Sequence, residues 1–295
     1  MSVAPAALAE MQSAVLDWYA GNARDLAFRR TTDPWSVLVS EVIAQQTQAA
    51  RAADAWTRFI DLFPTPNALA AASPATVIRA WRGLGYNRRA VALREAAIAI
   101  VEDHGGRVPD SYDGLIRLPG IGPYTARAVL AIAFNRPVAA LDTNIRRVLT
   151  RAFTGDDDVP PRTFQALADE YVPAGRGATW THALMDVGAA FCRARDPRCD
   201  ACPLASHCKF LAAGRPPVSA RGRAGSKPFR ATTRWLRGRI LDRLRDSPDG
   251  RWVTFDGPIG THDVDAVIEA LGDLASEGML EVDDTGTGAR LRTER

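Results

Sequence analysis

Apolar positions recur with a helical period along most of the chain. Between residues 6 and 20 they are Ala7, Leu8, Met11, Val15, Leu16 and Tyr19, the spacing of one helix face. Asp33 followed by Pro34 is a helix start, an N-cap with proline at the first helical position. The helix that it opens carries Trp35, Leu38, Val39 and Val42 as its apolar stripe, with Glu41 on the flank. Gln46 falls on the stripe itself, where a core helix takes an apolar residue. The pattern leaves open whether the helix runs on through Gln45-Gln46-Thr47 or breaks there. Further helices are predicted at 48–63, 66–71, 74–81, 87–104 and 111–117, each bounded by Pro, Gly, Ser or Asn. An alanine-rich helical run follows at Tyr124–Phe134. No period-2 alternation appears before residue 250, so the first 210 residues read as all-α.

The pattern changes after Lys209. From there to Ile240 the chain has nine basic residues and no acidic one, with Gly and Pro scattered through the first half, the composition of a linker. Beyond it, a helix is predicted at 232–246, a short strand at Arg251–Phe255, a helix at 263–277, and two strands at Met279–Val282 and Ala289–Arg292 around Asp284-Thr285-Gly286. Helix, strand, helix, hairpin is the order of a winged helix-turn-helix.

A chain of 295 residues accommodates one large or two ordinary domains, and 46% hydrophobic content supplies a core. The net charge of +3 does not by itself announce nucleic-acid binding, but nearly all the basic residues are Arg, whose planar fork suits phosphate. No apolar run approaches the roughly 20 residues of a membrane span. The alanine-rich N-terminus is interrupted by Glu10 and has no basic stretch before it, so it does not read as a signal peptide. A cytoplasmic, nucleoid-associated protein without membrane contact is expected. All four cysteines fall within one short stretch, Cys192, Cys199, Cys202 and Cys208, with the spacing C-x6-C-x2-C-x5-C. Disulfide cysteines in a chain this long would be scattered; four thiolates so close can hold one metal centre, and spacing alone admits zinc as well as an iron–sulfur cluster.

The most informative stretch is Leu118-Pro119-Gly120-Ile121-Gly122, a glycine turn leading into the Tyr124 helix, with a lone acid, Asp142, before Asn144-Ile145-Arg146-Arg147. Glycines allow close backbone approach, and helix-start amides can hold a phosphate oxygen. Together with Ser40-Glu41-Val42-Ile43-Ala44-Gln45-Gln46-Thr47 and the cysteine spacing, it resembles the MutY-type adenine DNA glycosylases of the helix-hairpin-helix base-excision superfamily, over residues 8–210. The resemblance implies a mainly α fold: a two-lobed glycosylase core at 1–211 with a [4Fe-4S] loop at 192–208. A basic linker at 212–230 and a winged-helix-like α+β domain at 231–295 would complete the chain.

It also implies roles. Glu41 would be the general acid toward N7 of adenine and Asp142 the carboxylate that stabilises the sugar cation, a pair suited to glycosidic cleavage. By pattern alone Glu41 reads as a solvated charge and Asp142 as a helix cap. Tyr124 stands where strand-cutting relatives have a Lys, and a phenol cannot form a Schiff base. A monofunctional enzyme follows. Gly120, Gly122 and Asn144 fall to the DNA clamp, Arg29 to adenine, Gln46, Thr47, Leu84 and Tyr86 to the lesion base and the wedge beside it, and Cys192, Cys199, Cys202 and Cys208 to the cluster. The implied partner is double-stranded DNA with A:8-oxoguanine or A:G mispairs, bound by a monomer.

Four features depart from the family pattern. Asn87 replaces a second Tyr, Pro123 replaces an Arg, and His182 stands where Gln or Glu lies near the adenine edge. The C-terminal residues are too few for the usual Nudix-like domain and hold no Phe-Ser-His turn. Two other readings therefore stay open: a thymine or uracil glycosylase for T:G and U:G mismatches, and an iron–sulfur winged-helix DNA-binding regulator.

Overall fold

The computed structural model describes residues 3–155, 159–214 and 228–294. In chain order the elements are α1 (Pro5–Asn22), α2 (Pro34–Ala44), α3 (Ala49–Leu62), α4 (Pro66–Ala71), α5 (Pro74–Ala80), α6 (Arg88–His104), α7 (Tyr112–Ile116) and α8 (Pro123–Ile132). Then follow α9 (Thr143–Val148), α10 (Pro161–Glu170), α11 (Gly177–Ala190), α12 (Lys209–Ala212), α13 (Thr233–Arg245), β1 (Val253–Thr254), α14 (Val264–Ser276), β2 (Leu280–Val282) and β3 (Gly288–Leu291). The predicted 212–230 linker lies outside the described residues for most of its length. No helix among the described residues is long and apolar enough to cross a membrane.

Side-chain caps start many of these helices where the sequence placed them. Asp33 accepts from the Ser36 amide at 2.8 Å, and Thr65, Ser73, Asp142, Thr232 and Asp263 cap in the same way. Pro123 is explained here. It is the first residue of α8, after Gly122 at the N-cap, where its missing N–H costs nothing. One expectation shifts, and the end of α2, which the pattern left open, is fixed. The strand at Arg251–Phe255 shortens to Val253–Thr254. α2 ends at Ala44, and Gln46 turns into the left-handed region at φ 53°. Nor is α2 amphipathic as its stripe suggested, because Val37, Ile43, Ser36, Ser40 and Glu41 are buried along with the stripe.

The chain divides into two compact units, each assembled from separated stretches. The first comprises residues up to Glu41, Asp110–Ile116 and the chain from Gly122 onward to the linker. Its core gathers Met11 and Val15 of α1, Ile145 and Val148 of α9, Phe164 of α10, and Trp180, Leu184 and Val187 of α11. Gly188 of α11 lets α9 approach closely: a Cβ there would stand 2.6 Å from the Asn144 Cβ.

The second unit comprises Val42–Pro109, Arg117–Ile121 and the C-terminal residues. Phe59 stacks edge-on against Trp81 with ring centroids 5.6 Å apart, over a core that includes Leu69, Ile78, Leu93 and Ile100. The C-terminal module has its own core of Leu236, Ile240, Leu244, Val267, Leu271, Leu274 and Leu280. Its sheet is antiparallel in the order β1-β3-β2, with Val253 opposite Ala289 and Leu280 opposite Leu291. This module is pinned to the helices of its unit by arginines. Buried Arg245 donates to the Ile78 carbonyl at 2.9 Å, to Asn87 Oδ1 at 2.8 Å and to Asp242 at 2.9 Å. Arg79 reaches the Ser247 carbonyl at 2.8 Å and Arg82 pairs with Asp246 at 2.6 Å. Asn87, the departure from the family's Tyr, is thus a receptor for Arg245. Arg245→Ala leaves buried acceptors unpaired and is expected to destabilise the protein by roughly 2–4 kcal/mol, measured by urea denaturation.

Candidate active site

Glu41, on α2, is buried and only 8% exposed. The Tyr124 hydroxyl, on the first turn of α8, donates to Glu41 Oε2 at 2.8 Å. Burial raises the Glu41 carboxyl from 4.5 to about 7; the Tyr124 hydrogen bond and Arg29 pull it down, and the charge of Asp142 adds to the rise. Burial and the nearby carboxylates push the Tyr124 phenol well above its ordinary value, so it remains a donor. At neutral pH the site therefore holds a carboxylic acid near its midpoint beside a neutral phenol.

Asp142 is the N-cap of α9, accepting from the Ile145 amide at 2.6 Å and from Asn144 Nδ2 at 3.0 Å. The capping role and a catalytic role are compatible, since the cap orients the carboxylate and the amides favour its charge. The strand-like approach to it is fastened by Asp169, which accepts from the Ala139 amide at 2.8 Å and takes a bidentate hold of Arg127. Asn144, expected at the DNA, also accepts from Arg147 Nη2 at 2.7 Å, so it holds Asp142 and α9 in place.

Arg29 is engaged inside the protein. It grips Asp186 of α11 through two bonds of 2.8 and 3.0 Å, and Arg24 adds a third at 2.6 Å. Burial works to raise Asp186, but the Arg29 bonds and charge with those of Arg24 outweigh it and hold the carboxyl low. Half-buried His182, one turn from Asp186, is pushed down to about 3 by burial and then by Arg29, so its imidazole is neutral. Asp186 was not singled out in the sequence, although an acid within the apolar Leu184–Val187 run was a visible signal.

The other predicted residues lie in the second unit. Gln46, Leu84, Tyr86 and Gly120 line a groove of about 1000 Å³, while Thr47 sits in the turn after α2 with its hydroxyl on the Gln45 carbonyl at 3.2 Å. Gly120 has φ 72°, and a Cβ there would stand 2.6 Å from that of Ala92, so the hairpin turn needs glycine on both counts. Tyr86, like Gln46, is a non-glycine residue with positive φ, here 45°. Such backbones cost about 1–2 kcal/mol each and collect at functional sites. Arg89, also missed, holds both strained segments: it donates to the Val42 and Gln45 carbonyls at 2.7 Å and to those of Leu84 and Gly85 at 3.2 Å.

The cysteines lie in the first unit. Cys192, Cys199, Cys202 and Cys208 line one small cavity of about 30 Å³ walled by Val148, Val187, Leu204 and Phe210. Arg151 stands at its rim, 3.8 Å from the Cys192 sulfur. Burial pushes the Cys202 thiol up to about 11, and it raises those of Cys199 and Cys208 as well. Among the described residues no group of three or more His, Cys, Asp or Glu is arranged to hold a single metal ion.

Residues 39–174 match the HhH-GPD superfamily of base excision DNA repair proteins. The chain is 44% identical over 250 residues to an adenine DNA glycosylase of Mycolicibacterium smegmatis, covering 84% of this chain and 82% of the relative. The chain belongs to the HhH-GPD superfamily. It is a DNA glycosylase of base excision repair. The glycosylase is also 44% identical over 238 residues to an adenine DNA glycosylase of Mycobacterium tuberculosis, across 78% of this chain and 77% of the relative. A solved thermostable thymine-DNA glycosylase has a TM-score of 0.67 and 27% identity, over 70% of this chain and 98% of the other.

The Glu41 environment makes the pH dependence of the glycosylase predictable. Glu41 passes from acid to carboxylate through about pH 7, so excision that draws on its proton is expected to fall about tenfold per pH unit above that point in single-turnover assays. Tyr124→Phe removes a bond that favours the carboxylate, which raises the acid further and moves this alkaline limb to higher pH.

Proposed function

We propose that the glycosylase removes adenine from A:8-oxoguanine and A:G mispairs in double-stranded DNA and leaves an abasic site uncut. The observation that carries the reading is a buried Glu41 held at about 7 and hydrogen-bonded by a phenol. The adenine assignment is supported by the names of the relatives at 44% identity and by Gln45-Gln46-Thr47.

In this mechanism protonated Glu41 gives its proton to N7 of the extruded adenine. The base becomes a neutral leaving group, and the bond from the sugar C1′ to N9 breaks with its electron pair going to the base. The sugar cation that remains is stabilised by Asp142, and water adds at C1′ as its surplus proton passes to the Glu41 carboxylate left by the first step. Arg29 and neutral His182, fixed by Asp186 and burial, would meet the adenine edges. Tyr124 takes no covalent part, since a phenol offers no amine for strand cleavage. Gly120 and Gly122, with the uncapped first amides of α8, would receive a DNA phosphate. In the second unit Gln46, Thr47, Leu84 and Tyr86 would meet the partner base.

We further propose that Cys192, Cys199, Cys202 and Cys208 hold a [4Fe-4S] cluster. The fit is supported by an all-sulfur donor set around a single apolar cavity, with Arg151 to offset the negative charge. Its contribution there would be to staple the 192–208 loop to the core. In chain order the core would run through residue 211, the basic linker 212–230 would follow, and residues 231–295 would form an appended winged-helix-like module. The protein would act as a monomer in the compartment that holds the DNA.

Single-turnover assays on a mismatch panel, with and without alkali, test the reading. Adenine release is expected opposite 8-oxoguanine and G, with strand breaks only after alkali; preferential action on T:G or U:G would overturn it. Glu41→Gln is expected to abolish excision while duplex binding persists. Because the raised acid makes the folded state lose stability as pH climbs from 4.5 to about 7, the same variant should gain thermal stability over wild type at pH 8 more than at pH 4.5. A colourless protein containing zinc would refute the cluster.

A further inference from the structure

Tyr86 sits on a backbone that disfavours it, with a φ of 45° in the left-handed region. Arg89 fastens the chain just before it through the Leu84 and Gly85 carbonyls, both at 3.2 Å. Bonds to the backbone leave the rotamer of a side chain free, and this one is 38% exposed.

What holds the ring comes from the C-terminal module. Arg234, in the first turn of α13, has its guanidinium 4.7 Å from the Tyr86 centroid, and its Nη1 donates to the Tyr86 hydroxyl. The Arg89 guanidinium lies 5.7 Å from the same centroid. A cation at the ring and a donor at the hydroxyl together restrict both χ angles of the tyrosine.

Arg234 is itself held for this contact. Its guanidinium is also 4.8 Å from the ring of Phe229. The Phe229 turn is closed by the Thr232 hydroxyl, which donates to the Phe229 carbonyl at 2.6 Å, and His262 Nε2 lies 3.1 Å from the Arg230 carbonyl oxygen. Arg237, Arg239 and Arg245 of the same helix pair with carboxylates, whereas Arg234 pairs with none among the described residues. The Arg245, Arg79 and Arg82 bonds fix the helix that carries it.

Extruding a base costs stacking, and a side chain that enters the gap offsets that cost. It does so more effectively when its rotamer is set beforehand, because less freedom is lost on entry. We infer that Arg234 is a positioning residue for Tyr86, holding the ring ready to enter the base stack. The C-terminal module then acts on base extrusion through Tyr86, without touching a base or the glycosidic bond. The inference rests on the proposed place of Tyr86 at the partner base.

The test uses the full chain and a duplex with a tetrahydrofuran abasic analogue at the target position. 8-Oxoguanine stands opposite, with the fluorescent base 2-aminopurine next to it. Entry of Tyr86 unstacks the probe, so fluorescence is expected to rise with saturating wild-type protein. Tyr86→Ala abolishes the rise. Arg234→Ala loses more than half of it while anisotropy shows the duplex fully bound, and Arg234→Lys, which keeps a cation and a donor, restores most of it. On A:8-oxoguanine, single-turnover excision by Arg234→Ala falls about tenfold, and the double variant falls no further than Tyr86→Ala alone. A full rise with Arg234→Ala, no rise with wild-type protein, or losses in excision that multiply in the double variant would each overturn the assignment. The probe duplex holds no adenine, so its fluorescence does not depend on excision. Failure of the adenine reading would show separately, as no product from wild-type protein on A:8-oxoguanine.

Discussion

The constraint around which the candidate site is arranged is a carboxyl group, that of Glu41, kept out of water. Ionising Glu41 in its buried position has to be done without solvent, and each pKa unit of the resulting rise corresponds to about 1.4 kcal/mol of disfavour for the charge. Three neighbours adjust that cost. Tyr124 lends a hydrogen bond to the anion and Arg29 a positive charge, while Asp142 opposes it with a like charge. The balance leaves an acid near its midpoint at neutral pH. A carboxyl on the solvated flank of a helix would have been fully ionised and unable to deliver a proton. The same buried helix that imposes the cost also fixes the position of the acid, so electrostatics and geometry have one origin.

In both units the protein uses guanidinium groups as pins. Asp186 is locked by Arg29 and Arg24, the turn after α2 and the Gly83–Tyr86 loop by Arg89, and the C-terminal module by Arg245. Even where burial weakens the charge most visibly, at Arg89, the group remains at about 10. His182 lies far on the other side, at about 3. Arg suits such work because its planar fork satisfies several carbonyls or both oxygens of a carboxylate at once. Arg89 also places its positive charge at the carbonyl end of α2, where the helix dipole favours it. The strained residues Gln46 and Tyr86 lie on the two segments that Arg89 ties down, which is how their unfavourable backbones can persist.

Local chemistry made much of this legible in the sequence. Caps and prolines set helix starts at Pro34, Pro66, Pro74 and Pro123 to within a residue or two, since those signals act through bonds to the next few amides. The glycine turn, the Ser40–Thr47 segment and the cysteine spacing carried the family, because each is a short run whose residues act together. The C-terminal helix–strand–helix–hairpin order was likewise visible, with only the strand ends misplaced.

Tertiary structure decided the rest. Periodicity put Glu41 at the flank of a helix, but it does not count how many neighbours surround that helix; α2 is enclosed on all sides, and only that enclosure raises the acid. Whether α2 passed through Gln46 was undecidable from the pattern, because the break is held by Arg89 from forty-odd residues away. Arg29 carried a role by analogy, but its grip on Asp186 joins positions 157 residues apart, which no local pattern records. Asn87 looked like a lost aromatic until Arg245 was found bonded to it. The sequence by itself determined which residue types are present and where helices begin, since those depend on neighbours along the chain. The burial, charge and partners of each group came from neighbours in space, and those exist only in the folded protein.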